Sequence, residues 1–270
     1  MTDTGQPKIY GQIDPDTAKL LATLWKGTTP PKTILGEPTT ALATTQWGVP
    51  TPEGKSNPYW DIVRQLPNDK LAWRGPSVDS YARYHNGASF PITRDDLTFH
   101  FAYAIPSPGD IAFLIDHLGG QPVIELGAGT GYWAWQLSQH NIDIVTYDNK
   151  SWTDLSRLSS VEYHPILQGS TEQIPLHPTR ILMLCWPTYS DPFAYDALTA
   201  YAGNLFIYIG EGPGGCTGDD KFDDLLAEHW TQTASSPHHV NYFGIHSDVG
   251  IYTRNTPTTH EDTLTKIGNP

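Results

Sequence analysis

From residue 107 onward, short apolar runs alternate with amphipathic segments, which indicates strands that alternate with helices. The predicted strands span 122–126, 142–147, 161–167, 180–186 and 204–210. The predicted helices span 108–118, a segment from about Thr130, 192–202 and 219–230. The run at 161–167 is the weakest strand because Pro165 interrupts it. The alternation predicts an α/β fold with a mostly parallel sheet that is covered on both faces.

The chain changes character near residue 105. The first 105 residues are rich in Pro, Thr, Gly and aromatic residues, with helical patterns only at Pro15–Trp25 and Pro58–Leu66. We therefore expect three parts: an irregular or helical extension at 1–105, a main domain at 106–256 and a tail at 257–270. The segments YFGI (242–245) and VGIYTR (249–254) predict a terminal antiparallel hairpin in the main domain.

Charge narrows the range of partners. The 270 residues include 16 Lys and Arg against 29 Asp and Glu, which gives a net charge of −13. Such a surface repels nucleic acid backbones and anionic membranes, and no run of basic residues offsets it. The two cysteines imply neither a disulfide framework nor a zinc site, and the adjacent pair His238-His239 lacks metal-ligand spacing. Because no signal segment or membrane-spanning run is evident, we expect a cytoplasmic protein without a metal.

A glycine-rich turn follows the strand at 122–126, within the sequence VIELGAGTGYWAW (123–135). Glycines at this position let backbone N–H groups approach a ligand closely. Dinucleotide sites usually have the spacing GxGxxG, whereas this chain has GxGxG, and Tyr132 occupies the sixth position. Two acids accompany the turn: Glu125 precedes it and Asp148 ends the next strand. A carboxylate at the end of that second strand can accept both hydroxyl hydrogens of a ribose.

The set ELGAGTG followed by TYDN resembles the S-adenosylmethionine (SAM) site of class I methyltransferases, over roughly residues 103–254. The resemblance implies a doubly wound, mostly parallel seven-stranded sheet with a terminal antiparallel hairpin strand. It also implies that the glycine loop passes the methionine part of SAM, that Glu125 orients the loop and the amino group, and that Asp148 holds the ribose. Asn149 would lie beside the adenine, and Ser170 replaces the aspartate that usually faces the adenine amino group. The candidate SAM-binding residues are Tyr103, Glu125, Gly127, Ala128, Gly129, Thr130, Gly131, Tyr132, Trp133, Asp148, Asn149, Ser170, Cys185 and Trp186.

The methyl acceptor is expected at the end of the fourth strand, where this chain has Cys185-Trp186-Pro187-Thr188-Tyr189. N-methyltransferases that act on planar amino groups often show (D/N/S)PP(Y/F) at this point. Trp186 offers one donor and no acceptor, so methylation of a nucleobase amine loses its main support. An O–H or ammonium acceptor needs a base, and the candidate catalytic residues are Tyr189, Glu211, His246 and His100.

The resemblance therefore implies a SAM-dependent methyltransferase for a small organic molecule, with residues 1–105 packed on or covering the active site. Two alternatives remain open at this stage. A nicotinamide-dependent oxidoreductase also holds a ribose with an acid on the second strand. A catalytically silent SAM-fold protein, serving as a binding or partner subunit, is favoured by Ser170 and by the altered turn at 185–189.

Overall fold

A seven-stranded sheet forms the centre of the molecule. The computed structural model describes residues 9–12, 33–35, 51–64, 68–72, 75–78, 81–84, 91–150 and 162–255. The strands are β1 (Ile9–Gln12), β2 (Thr33–Leu35), β3 (Asn68–Ala72), β4 (Gly75–Val78), β5 (Tyr81–Tyr84), β6 (Pro91–Thr93), β7 (Val123–Leu126), β8 (Ile144–Asp148), β9 (Ile166–Gln168), β10 (Ile181–Cys185), β11 (Leu205–Gly210), β12 (Trp230–Ser235), β13 (Asn241–Tyr242) and β14 (Asp248–Arg254). The central sheet has the order β12-β14-β11-β10-β7-β8-β9.

The helices from residue 108 onward cover this sheet and connect its strands. The described helices are α1 (Pro58–Val63), α2 (Arg94–His100), α3 (Pro108–Leu118), α4 (Tyr132–Ser138), α5 (Phe193–Ala200) and α6 (Asp220–His229), with a 3-10 helix at Thr171–Leu176. Helix α3 has the bounds predicted from sequence because both of its ends are capped. Ser107 and Asp110 form a capping box at its start, and Gly119 ends it with φ of 54°.

The topology brings two loops together at one edge. Strands β9, β8, β7, β10 and β11 run parallel, as predicted. The winding reverses between β7 and β10, because β8 and β9 lie on one side of β7 and β11 lies on the far side of β10. Ligands of open α/β sheets bind in the crevice at such a reversal, outside the carboxyl ends of the strands. The loops after β7 and β10 are the glycine loop and the turn at 185–189.

The antiparallel pairing at the sheet edge involves a different strand from the one predicted. Strand β14 pairs antiparallel with β11 on one side and with β12 on the other. The apolar segment at 242–245 does not pair with β14, since β13 joins β4 in a separate three-stranded sheet. Strand β12 lacks a hydrophobic signature because most of its side chains face solvent.

Apolar side chains bury both faces of the central sheet. One cluster packs α3 and α4 on β7, β10, β11 and β14, with Leu114, Trp133 and Met183 fully buried. The other cluster packs α5 and α6 on the opposite face, around Leu184 and Phe206. No helix among the residues that the structure describes is long and apolar enough to cross a membrane.

Within residues 1–105, α1 and the segment after α2 pack on the start of α4. The helix predicted near Pro58–Leu66 is present as α1, and short strands accompany it in this region. The Tyr59 N–H donates to the Tyr132 hydroxyl at 2.9 Å, and the Tyr59 ring stacks on Phe101 at 4.7 Å. The helix predicted at Pro15–Trp25 and the tail at 257–270 lie outside the described residues.

Candidate active site

The glycine loop needs its three glycines mainly for backbone reasons. Gly127, Gly129 and Gly131 have φ values of 67°, 57° and 72°, a region that side chains with a Cβ rarely adopt. A Cβ on Gly131 would lie 3.0 Å from the His164 Cβ, and one on Gly127 would lie 3.2 Å from the Phe193 ring. A Cβ on Gly129 would meet no atom within 4 Å. Open space for a ligand therefore begins in front of Gly129.

Asp148 ties this loop to the end of β8. Its side chain is 3% exposed, and its Oδ2 accepts a hydrogen bond from the Gly129 N–H at 2.9 Å. Its Oδ1 accepts from the Lys150 N–H at 2.6 Å. The Ala128 N–H donates to the Tyr147 carbonyl at 3.2 Å, which fixes the loop a second time. The predicted ribose-binding acid thus lies directly beside the open space at Gly129.

Glu125 is buried under the same loop with one carboxyl oxygen unpartnered among the described residues. The residue is 1% exposed, and its Oε2 has no hydrogen-bond partner among the described residues. Burial, together with the nearby charge of Asp148, raises the pKa of Glu125 to about 8, although a backbone hydrogen bond from Ala134 acts in the opposite direction. The side chain is therefore mostly protonated at neutral pH. A ligand cation placed beside it would stabilise the ionised form.

Three of the candidate SAM-binding residues use their side chains for hydrogen bonds within the protein. The Thr130 hydroxyl donates to the Phe101 carbonyl. The Tyr132 hydroxyl donates to Asn57 Oδ1 at 2.9 Å, and Trp133 Nε1 donates to the Ala104 carbonyl at 3.2 Å. Contact of these residues with a ligand would therefore involve the backbone at the start of α4.

Asn149 and Ser170 lie at the ends of adjacent strands, β8 and β9. Asn149 is exposed, and its carbonyl accepts from Gln168 Nε2 at 3.1 Å. The Ser170 N–H donates to Glu172 Oε1 at 2.8 Å, and its hydroxyl caps no helix. Both residues are placed where the adenine contacts are predicted, and these contacts stay a prediction.

Trp186 adopts a left-handed backbone conformation at the end of β10. Its φ is 53°, which is an outlier for a bulky residue, and its N–H donates to the Ile209 carbonyl on β11 at 2.7 Å. Its ring stacks on Tyr103, with 5.9 Å between ring centres and 16° between planes. Tyr103 is 40% exposed, so this aromatic pair presents a surface to solvent beside the glycine loop. Strain of this kind is frequent at functional sites.

Glu211 anchors the loops around the site. The side chain is 6% exposed, and its Oε2 accepts from the N–H and the thiol of Cys216, both at 2.8 Å. Its Oε1 accepts from the His246 N–H at 2.7 Å. Burial alone would raise the pKa of Glu211, but these hydrogen bonds outweigh it and lower the pKa below its usual value. A carboxylate held in this way is a weak proton acceptor and a strong structural anchor.

The other three candidate bases occupy different surroundings. His246 adjoins Glu211, on the segment that follows β13. The His100 ring packs edge-on against Phe101 at 4.6 Å, and burial lowers its pKa, so it is neutral at pH 7. Tyr189 is 64% exposed on the turn after β10. The structure thus brings Glu211 and the His246 backbone together.

A buried polar chain fixes the segment that carries His246. Asp110 on α3 lies 2.9 Å from His239 Nδ1, and His239 Nε2 lies 3.0 Å from the Ser247 hydroxyl. The Ser247 hydroxyl donates to Asn241 Oδ1 at 2.5 Å. These residues are buried, so their role is to hold the 236–247 segment against the main domain.

Sequence reasoning missed two residues of this region, Arg94 and Tyr242. The Arg94 guanidinium lies 5.4 Å from the Trp186 ring and 5.9 Å from each of the Tyr103 and Tyr242 rings. Neither residue belongs to a local motif, because α2, β13 and the end of β10 meet only in the folded chain. Among the described residues, no group of three or more His, Cys, Asp or Glu side chains could hold a metal ion.

The sheet has five parallel strands, an antiparallel hairpin at one edge, and a glycine loop at its reversal point. This is the doubly wound, mostly parallel sheet that the sequence predicts. No family model and no curated protein sequence matches the chain.

Several solved structures are similar to the chain. Magnesium protoporphyrin IX methyltransferase from Synechocystis PCC 6803, with bound S-adenosylhomocysteine (SAH), is 12% identical; the match covers 64% of this chain and 91% of that chain, with a TM-score of 0.38. Human N-acetylserotonin methyltransferase in complex with SAM is 15% identical, covering 60% and 56% of the two chains, with a TM-score of 0.37. A Burkholderia thailandensis 1,6-didemethyltoxoflavin-N1-methyltransferase is 18% identical, covering 54% and 77%, with a TM-score of 0.33.

Proposed function

We propose that this protein is a SAM-dependent methyltransferase that acts on a small organic molecule. The observation that carries the proposal is the placement of Asp148. Its carboxylate holds the Gly129 N–H at 2.9 Å and adjoins the open space in front of that glycine. An acid in this position can accept hydrogen bonds from the two hydroxyls of a ribose.

The residues beneath the loop fit the methionine part of SAM. The buried Glu125 Oε2 lacks a partner, and an ammonium group would supply both a hydrogen bond and a compensating charge. Bound SAM would supply an activated methyl group on a sulfonium. The protein would contribute by orienting donor and acceptor and by excluding water.

The aromatic pair of Tyr103 and Trp186 supports a small and partly apolar acceptor. A flat, exposed aromatic surface binds planar groups well. The net charge of −13 opposes binding of a nucleic acid backbone. For an acceptor that carries a proton, His246 is the favoured base, because the hydrogen bond from its backbone N–H to Glu211 holds its segment beside the end of β11.

Calorimetry with SAH tests the cofactor assignment. Wild-type protein should bind SAH, and Asp148→Ala should weaken binding by about 1–3 kcal/mol, because the ribose hydroxyls lose a buried acceptor. Asp143→Ala is the matched control, since Asp143 lies at the opposite end of β8 with a side chain that is 68% exposed. Equal affinities of the two variants would remove Asp148 from the site.

Two further measurements separate the alternatives. A folded wild-type protein that binds NAD⁺ and shows no heat with SAH would favour an oxidoreductase. Transfer of a labelled methyl group from SAM to components of a small-molecule extract would exclude a catalytically silent subunit. Binding of SAH without transfer to any fraction would support the silent subunit.

A further inference from the structure

We propose that Arg94 is a specificity-determining residue that binds a carboxylate on a planar methyl acceptor. This inference rests on the proposed methyltransferase function and names the class of its acceptor. It is carried by the position of one guanidinium among three aromatic rings and by the absence of a counter-ion in the described part of the chain.

Arg94 lies above the aromatic surface at the end of β10. Its Cζ is 5.4 Å from the centre of the Trp186 ring and 5.9 Å from that of Tyr103. A third ring, that of the fully buried Tyr242, lies 5.9 Å away on another side. Cation–π contacts within about 6 Å hold a guanidinium in place without occupying its N–H donors. The rings therefore position Arg94 without using its N–H donors.

No acidic partner compensates this charge in the part of the chain that the structure describes. No carboxylate oxygen there lies within 4 Å of the Arg94 nitrogens, and its buried Nε has no hydrogen-bond partner. The chain carries 29 acidic residues against 16 basic ones, so a partly buried arginine without an acid is unexpected. A guanidinium matches the geometry of a carboxylate, which it binds through two parallel hydrogen bonds.

The charge of Arg94 also reaches the loop after β11. Burial and the adjoining Glu211 raise the pKa of the Cys216 thiol to about 11, and Arg94 acts in the opposite direction. Arg94 therefore lies within electrostatic range of Cys216, whose backbone and thiol bind Glu211. A planar acceptor on the aromatic pair would therefore lie beside Arg94, within electrostatic range of the loop after β11.

SAM carries a carboxylate of its own, so two sources of this chemistry must be distinguished. We assign Arg94 to the acceptor because Trp186, whose ring it contacts, is hydrogen-bonded to Ile209 on β11, on the side of β10 away from β7. If Arg94 bound the carboxylate of the donor instead, its substitution would weaken binding of SAH.

The experiment uses the full chain saturated with SAH and two probes of the same shape, benzoate and the neutral benzamide. Affinities are measured by ligand-observed NMR for wild-type protein, Arg94→Gln, Arg94→Lys and the control Arg180→Gln. Arg180 pairs with Asp143 at the amino end of the strands, away from the candidate site. Melting curves and SAH titrations show whether each variant is folded.

Wild-type protein and Arg180→Gln should bind benzoate about tenfold more tightly than benzamide, as expected for a partly exposed charge-assisted pair. Arg94→Gln should abolish this preference, Arg94→Lys should retain part of it, and SAH affinity should stay unchanged in both. The proposal is overturned by equal binding of the two probes to wild type, by binding of neither, or by a tenfold loss of SAH affinity in Arg94→Gln. If wild-type protein does not bind SAH at all, the proposed function itself fails.

Discussion

The protonation state of Glu125 predicts how cofactor affinity depends on pH. With a pKa of about 8, the buried carboxyl is roughly 90% protonated at pH 7. An ammonium group beside its unpartnered Oε2 would favour the ionised form and return the pKa toward the usual 4.5. Binding must therefore release a proton from this side chain.

The size of the effect follows from the fraction of Glu125 that is ionised in the protein without ligand. If only the ionised form binds, affinity at pH 7 is about tenfold below its limit, or about 1.4 kcal/mol. Between pH 6 and pH 8 the affinity for SAH should rise about 50-fold, with most of a proton released at pH 7. Burial of the side chain to 1% exposure means that solvent screening reduces this effect little.

Calorimetry with SAH in two buffers of different ionisation enthalpy measures both quantities. Glu125→Gln is the matched variant, because its amide oxygen still accepts a hydrogen bond and does not titrate. The affinity of this variant for SAH should vary little between pH 6 and pH 8. The number of protons released on binding should fall to the contribution of the other titratable groups. If wild type and Glu125→Gln show the same pH slope and the same proton release, Glu125 does not contact the ligand ammonium.

Three further outcomes follow from the same region. Because the folded pKa of Glu125 is raised, its contribution to stability is lost as pH rises from about 4.5 to 8, so Glu125→Gln should melt above wild type at pH 8 and near it at pH 5. In thermal melts, Gly131→Ala should lower the stability of the protein more than Gly129→Ala. Each substitution costs about 1–2 kcal/mol because the residue has a positive φ, and only the new Cβ at position 131 would also meet His164. Gly129→Ala should instead weaken SAH binding measured by calorimetry. Glu211→Gln should lower stability at pH 7 by about 1–3 kcal/mol, and this difference should shrink below pH 4.5, since the lowered pKa of Glu211 stabilises the fold only above that value.

Strands β7, β8, β10 and β11 and their helices were predictable because each has a strong local signal, whereas β9 begins at Ile166, after Pro165, and not at residue 161. Strands β7, β10 and β11 are apolar runs buried on both faces, and α3 has a cap at each end. Their predicted bounds agree with the structure to within about two residues. Strand β12 escaped prediction because an exposed edge strand shows no hydrophobic alternation, and its first residue was assigned to the preceding helix.

The candidate site was predictable only where its residues lie in one sequence motif. Glu125, the glycines and Asp148 fall on a single strand-loop-helix-strand unit, so their spacing alone places them together. Arg94 and Tyr242 come from segments far apart in the chain, and only long-range packing brings them to Trp186. The structure also separates the roles of the three glycines. Backbone conformation and close contacts within the protein explain Gly127 and Gly131, whereas only Gly129 faces open space.

The charges of the site are arranged in two separate groups, and this separation matches the proposed reaction. Glu125 and Asp148 lie at the ends of β7 and β8, where a cationic donor would gain from both carboxylates. Arg94 lies beyond β10, where an anionic acceptor would gain from the guanidinium and would be kept away from those carboxylates. An acceptor without a negative charge would gain nothing from Arg94. An anionic acceptor placed at the glycine loop would be repelled by Asp148. We therefore expect the opposite charges on either side of the reversal point to favour a cationic donor near the glycine loop and an anionic acceptor near Arg94.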